Sequence, residues 1–154
     1  EEARVLYEAM RVGASSDAVL GTIHGDGARE IRERVVEDLG VSASSFAVTD
    51  CVVTCRRVAV DGRAQRRVAR IEEVVGDGAS ASFEPLFALD DAGDLESTGR
   101  IEAGESELVA SLATATESYG DVRDALTDRE TVLAGRARDG AHDPATWTTT
   151  RRST

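Results

Sequence analysis

Two polar side chains suited to phosphate chemistry stand at the end of a short apolar run. Ala18-Val19-Leu20-Gly21-Thr22-Ile23-His24 reads as a buried strand, and Gly25-Asp26-Gly27 breaks it. In open α/β sheets, ligands bind at the carboxyl edge of the strands. Thr22 and His24 are two residues apart, so on a strand they project to one face. A hydroxyl and an imidazole there can hydrogen-bond a phosphate or a bound water. The same pair also fits a plainer role, in which His24 caps the strand with a satisfied hydrogen bond.

Cys51 and Cys55 are the only cysteines. They lie in Asp50-Cys51-Val52-Val53-Thr54-Cys55, which reads as a strand. Four strand residues span about 13 Å, too far for a disulfide. Buried, reduced thiols are expected, and no His is close enough in sequence to complete a metal site. Six arginines, at 56, 57, 63, 66, 67 and 70, form a local basic patch. They fit either contact with RNA, phosphate or an acidic partner face, or salt bridging to Glu72, Glu73 and the wider acidic surface. The patch has no aromatic residue for base stacking, which argues against single-strand binding. Arg4 and Arg11 fit either a neighbouring subunit or plain solvation. Trp147 and His142 sit in the tail and are assigned no role.

The elements that must position these groups are set by composition first. Hydrophobic residues make up 41% of the 154 and aromatics only 4%, so the core is built mainly from Val, Leu, Ile and Ala. There are 29 acidic residues against 18 basic ones, every basic residue is Arg, and the net charge is -11. Such a surface repels itself until salt screens it, which suits a salt-accumulating cytosol, though plain acidity with a GC-rich genome that favours Arg codons fits as well. Non-specific binding to nucleic acid or anionic membrane is disfavoured. No run approaches transmembrane length.

Along the chain, a helix is predicted over 2–12, with Val5, Leu6, Ala9, Met10 and Val12 at helical spacing and Gly13 as its stop. A turn-rich linker, the apolar run and a second helix from about Ala28 to Leu39 follow, with Gly40 as its stop. Strand, tight loop and helix make an α/β unit. Cys51 to Val60 and Arg66 to Val75 read as a hairpin turning at Asp61-Gly62. A second hairpin is expected from Ser82 to Leu89, returning through Arg100-Ile101. Helical patterns near Glu105–Thr116 and Val122–Arg136 precede a tail expected to be disordered.

This order resembles the type II/type IV secretion ATPase family, which drives secretion, type IV pili and archaeal surface filaments. Glu2 to Val12 looks like the helix after that family's Walker B strand. Val19 to His24 looks like its Thr-x-His "His box" strand. Asp26 to Leu39 looks like the next helix, and Thr49-Asp50-Cys51-Val52-Val53 like its Asp-Leu-Val-Val strand, with Cys51 at the usual Leu. The Arg-rich hairpin and Ile71-Glu72-Glu73-Val74-Val75-Gly76 resemble the family's segment after the core. The rest, through the terminal helices, resembles extensions on haloarchaeal members.

The resemblance implies an α/β fold: the C-terminal part of a RecA-like P-loop core over 1–47, β-hairpins over 48–103, two terminal helices over 104–138 and a tail over 139–154. It implies that His24 sits near the γ-phosphate of ATP, that Thr22 supports it, and that Gly21 and Gly25 let the backbone approach closely. The parent would be a cytoplasmic homo-hexamer using ATP and Mg, docked at the membrane through a platform protein, with no nucleic-acid partner. A P-loop needs a Lys, and this sequence has none. The Walker B carboxylate is absent too, so no tight ATP or Mg binding is expected from this chain alone. The alternative is a catalytically dead module that docks on a complete ATPase or on the platform protein. A third possibility is a small nucleic-acid-binding domain using the Arg hairpin.

Overall fold

The computed structural model describes residues 2–12, 18–60, 62–76 and 80–140, and divides the chain into two compact units, Glu1–Ser111 and Leu112–Thr154. The fold mixes helix and sheet. In the first unit α1 (Glu2–Val12) and α2 (Ala28–Glu33) form where the apolar spacing predicts. The helix of α2 runs on as a π-helical turn over Arg34–Asp38, in which the Leu39 amide donates to the Arg34 carbonyl. Gly40 ends it with φ 69, a left-handed conformation that a residue with a Cβ adopts only at a cost. A short α3 (Ala43–Phe46) follows, with Ser42 as its N-cap.

The sheet is an antiparallel meander in the order β1-β2-β3-β4. Its strands are β1 (Cys51–Val60), β2 (Arg63–Val75), β3 (Ser82–Leu89) and β4 (Leu95–Ser97). β2 pairs with all of β1 but meets β3 only from Arg70 to Val75. The β1–β2 hairpin beyond Thr54 and Arg70 is therefore a two-stranded ribbon. Pro85 is accommodated in β3 because the register shifts beside it, at Ile71/Glu72, and a bulge tolerates the missing N–H.

Two helical layers cover opposite faces of the sheet. On one face Ala28, Ile31 and Val35 of α2 and its π turn, with Val41, Phe46 and Val52, form the main apolar cluster. Tyr7 stacks on Phe46 at 6.1 Å between ring centroids, and Phe83 meets Phe46 edge-on at 6.4 Å. On the other face lie α4 (Arg100–Ala103) and α5 (Glu107–Ser111). Arg100 and Ile101 are helical, not a return strand as expected. Gly99, at φ 86, turns the chain after the true return strand β4, and Arg100 is drawn to the sheet by Glu73.

The second unit contains α6 (Tyr119–Arg138). Ser118 and Asp121 make a reciprocal capping box, with the Ser118 amide donating to Asp121 Oδ2 at 2.7 Å. The expected disordered tail, with His142 and Trp147, falls outside the described residues from 141 onward. None of the described helices is long and apolar enough to cross a membrane.

Residues 18–25 require a correction. The expected buried strand from Val19 to His24 has no strand structure, and nearly all of it is exposed, Leu20 by 97%. A buried strand of an α/β sheet needs hydrogen-bonded neighbours. Among the described residues the sheet begins only at Cys51, and none of its strands pairs with this segment.

Candidate functional site

The predicted phosphate-facing residues lie in this open segment. Thr22 and His24 are both exposed, and no hydrogen bond engages either side chain among the described residues. Thus His24 does not cap a strand here. Gly21 leaves space, since a Cβ there would come only within 4.0 Å of Leu6 Cδ2. Gly25 does not. A Cβ built on it would fall 2.7 Å from Ile31 Cγ1, so its close approach is to Ile31 of the helix that follows.

What the structure adds is how firmly the loop after His24 is held. Arg34 Nη1 donates to the His24 carbonyl at 3.4 Å. The Asp26 amide donates to Glu30 Oε2 at 3.0 Å. From β1, Arg56 Nη2 donates to the Asp26 carbonyl at 2.7 Å, and its Nε lies 3.7 Å from Asp26 Oδ1. From β2, buried Glu72 accepts the Ala28 amide at 3.0 Å. Helix starts leave amides without intrahelical partners, and a carboxylate there also opposes the positive end of the helix dipole. Arg70, at 3.5 Å, balances the charge of Glu72. A cleft of about 570 Å³ lies beside this loop, lined in part by Asp26, Arg29, Arg70 and Glu72.

Sequence reasoning placed Glu72 and Glu73 in the strand after the Arg hairpin but missed what they do. The available signal was two adjacent carboxylates inside Ile71-Glu72-Glu73-Val74-Val75, an otherwise apolar strand segment. Neighbours on a strand face opposite ways, so both could be buried only with partners on both sides. Glu73 is fully buried and accepts four hydrogen bonds. Arg100 Nε and Nη2 each donate at 3.2 Å, Ser106 Oγ at 2.8 Å and the Leu108 amide at 3.0 Å.

The basic patch divides. Arg56 and Arg70 are the two members engaged by carboxylates, as salt bridging predicts. Arg57, Arg63, Arg66 and Arg67 have no acidic side chain within 4 Å among the described residues.

The cysteines are free, as expected, but exposed rather than buried. Val52 and Thr54 take the inward face of β1, so Cys51, Val53 and Cys55 face the side that α4 and α5 leave uncovered on this strand. Partial burial first, and the Asp50 carboxylate second, push the Cys51 thiol up. Thr54 Oγ1 is buried with no hydrogen-bond partner among the described residues.

No group of three His, Cys, Asp or Glu able to hold a metal occurs among the described residues. No protein-family model matches the chain, and no curated protein matches it.

Proposed function

We propose that this chain is part of a motor ATPase of the secretion and filament-assembly type, with Thr22 and His24 at the nucleotide-facing edge of a RecA-like core. One observation supports this reading above the others. The segment 18–25 is apolar and bare, yet it runs directly into a loop whose backbone is pinned from α2, β1 and β2. Such a segment is suited to join a sheet, because its backbone makes no ladder hydrogen bonds among the described residues and its side chains gain from burial. Joining would set Thr22 and His24 at the strand end, where an imidazole and a hydroxyl hydrogen-bond a terminal phosphate. The P-loop and the metal-binding carboxylate would come from other segments. In this reading the assembly is a homo-hexamer in the cytoplasm, held at the membrane by a platform protein.

A module with no catalytic part, docking on a complete ATPase or on the platform protein, uses the same exposed segment. The coding sequence upstream of residue 1 separates the two. An in-frame Gly-x-x-x-x-Gly-Lys-Ser/Thr followed by an apolar strand and Gly-Glu-x-Arg is expected for the motor. A start codon directly before Glu1 would overturn the motor reading and leave the docking module.

A further inference from the structure

At one end of the sheet lie two charged features of opposite sign. The first is the two-stranded ribbon of residues 55–60 and 63–68. It extends about 20 Å past the last β3 pairing at Arg70, at the usual rise per strand residue. Arg56 pairs directly across it with Arg67, and Arg57 with Arg66. Like charges opposite each other destabilise a ladder unless something neutralises them. Asp26 does so for Arg56. Arg57, Arg63, Arg66 and Arg67 have no carboxylate within 4 Å among the described residues.

The second feature is the β3–β4 turn. Asp90, Asp91, Asp94 and Glu96 place four carboxylates in seven residues, all exposed, with no arginine in salt-bridge range among the described residues. Asp90 is occupied locally, accepting the Asp94 amide at 2.8 Å. Because Ala88 pairs with Arg70, this turn lies level with the base of the ribbon and at the same end of the sheet. Among the described residues no salt bridge joins the turn to the ribbon.

We propose that the arginine ribbon docks on the acidic β3–β4 turn of a second copy of this chain. Charge selects this partner. Residues 51–70 carry six Arg and one Asp, while the other residues carry 12 Arg against 28 Asp and Glu. The chain therefore offers what the ribbon lacks. Guanidinium forks grip carboxylates in pairs, so contact survives where long-range attraction is screened. A nucleic acid fits less well, because the ribbon has no aromatic residue and the rest of the chain repels phosphates. The proposal does not rest on the motor reading.

The test is sedimentation velocity on the full 154-residue chain at about 0.15 M and about 1 M KCl, where the screening length falls from about 8 to about 3 Å. Self-association is expected at the lower salt and weaker at the higher. The ribbon variant Arg57→Glu/Arg66→Glu/Arg67→Glu and the turn variant Asp91→Arg/Asp94→Arg/Glu96→Arg should each lose about ten- to a hundredfold in affinity. An equimolar mixture of the two should recover it, since each then offers the other a complementary feature. Circular dichroism checks the fold; if charge reversal costs it, the matching Gln substitutions in the ribbon replace it. A wild-type chain that stays monomeric at low salt overturns the proposal, as does association that the ribbon variant leaves unchanged. Ribbon-dependent binding of a single-stranded RNA oligonucleotide, without self-association, overturns it in favour of nucleic acid.

Discussion

Glu72 and Glu73 are neighbours on β2, both buried, and they point to opposite faces of the sheet. Glu72 holds the start of α2 through the Ala28 amide, while Glu73 holds α4 and α5 through Arg100, Ser106 and the Leu108 amide. One dipeptide thus fastens both helical layers to the same strand. Arg100 does more than pair with Glu73. It also lies 3.7 Å from Glu84, directly across the ladder from Glu73, and 3.7 Å from Glu105, so one guanidinium separates three carboxylates.

Arg100→Met should therefore be among the most damaging single substitutions. It strands a fully buried carboxylate, which costs about 3–5 kcal/mol. Replacing both partners, as Glu73→Leu with Arg100→Met, should recover much of that loss, because no buried charge is left alone. Chemical denaturation at fixed KCl measures both.

Glu72→Ala removes the carboxylate that caps α2. The Ala28 amide then lies buried with no acceptor, at a cost of about 1–3 kcal/mol. The expected signature is local: faster hydrogen exchange at Ala28 and through α2, with α6 unaffected. Equal acceleration in α6 would mean that Glu72 supports global stability instead.

Thr54→Val should stabilise the chain by about 1 kcal/mol. The hydroxyl is buried with no partner, so an apolar group of similar shape removes a desolvation penalty. A lower melting temperature would show that the hydroxyl finds a partner in solution.

Burial and Asp50 raise the Cys51 thiol, so at mildly alkaline pH a smaller fraction of it is thiolate than in an unstructured peptide. The thiolate is the nucleophile. Alkylation of Cys51 should therefore run slower folded than unfolded at pH 8, and its pH–rate curve should move to higher pH. Asp50→Asn should move the curve part of the way back. Peptide mapping of iodoacetamide adducts over a pH series measures each shift.

His24→Ala should change the stability of this chain by less than about 0.5 kcal/mol, because the side chain is exposed and bonded to nothing described. In an assembled ATPase containing this segment it should lower kcat about a hundredfold or more, the range for a lost proton-handling group. Gly25→Ala behaves differently. It should destabilise the chain itself, since its Cβ would press on Ile31 Cγ1.

The first two helices, α6 and the strands of the first hairpin were legible because their signals are local. Val5, Leu6 and Met10 on α1, and Ile31 and Val35 along α2 and its π turn, need only a few residues of context, while the Asp61 of the expected Asp61-Gly62 turn lies outside the described residues. The apolar run at 18–24 misled because a strand is defined by its neighbours, and a run of Val, Leu and Ile does not name them. Arg100 was assigned to a strand for a similar reason. What decides its place is Glu73, 27 residues away in sequence and on another element. The cysteines were expected inside because nothing in the β1 sequence marks which face a helix covers. As for the site, the sequence singled out Thr22 and His24, but not the anchors Arg34, Arg56 and Glu72 that fix the loop behind them.

The ribbon has one more consequence. Among the described residues no strand pairs with either of its edges beyond Arg70, so it opens more readily than the sheet behind it. Because the chain contains no Lys, trypsin can cut it only after arginine. Five of its arginines, 56, 57, 63, 66 and 67, lie on this ribbon, so brief digestion should nick the chain there early and leave the four-stranded part of the sheet whole. A bound second copy would shield those bonds, which makes the rate of that first cut a direct reading of whether the ribbon is occupied.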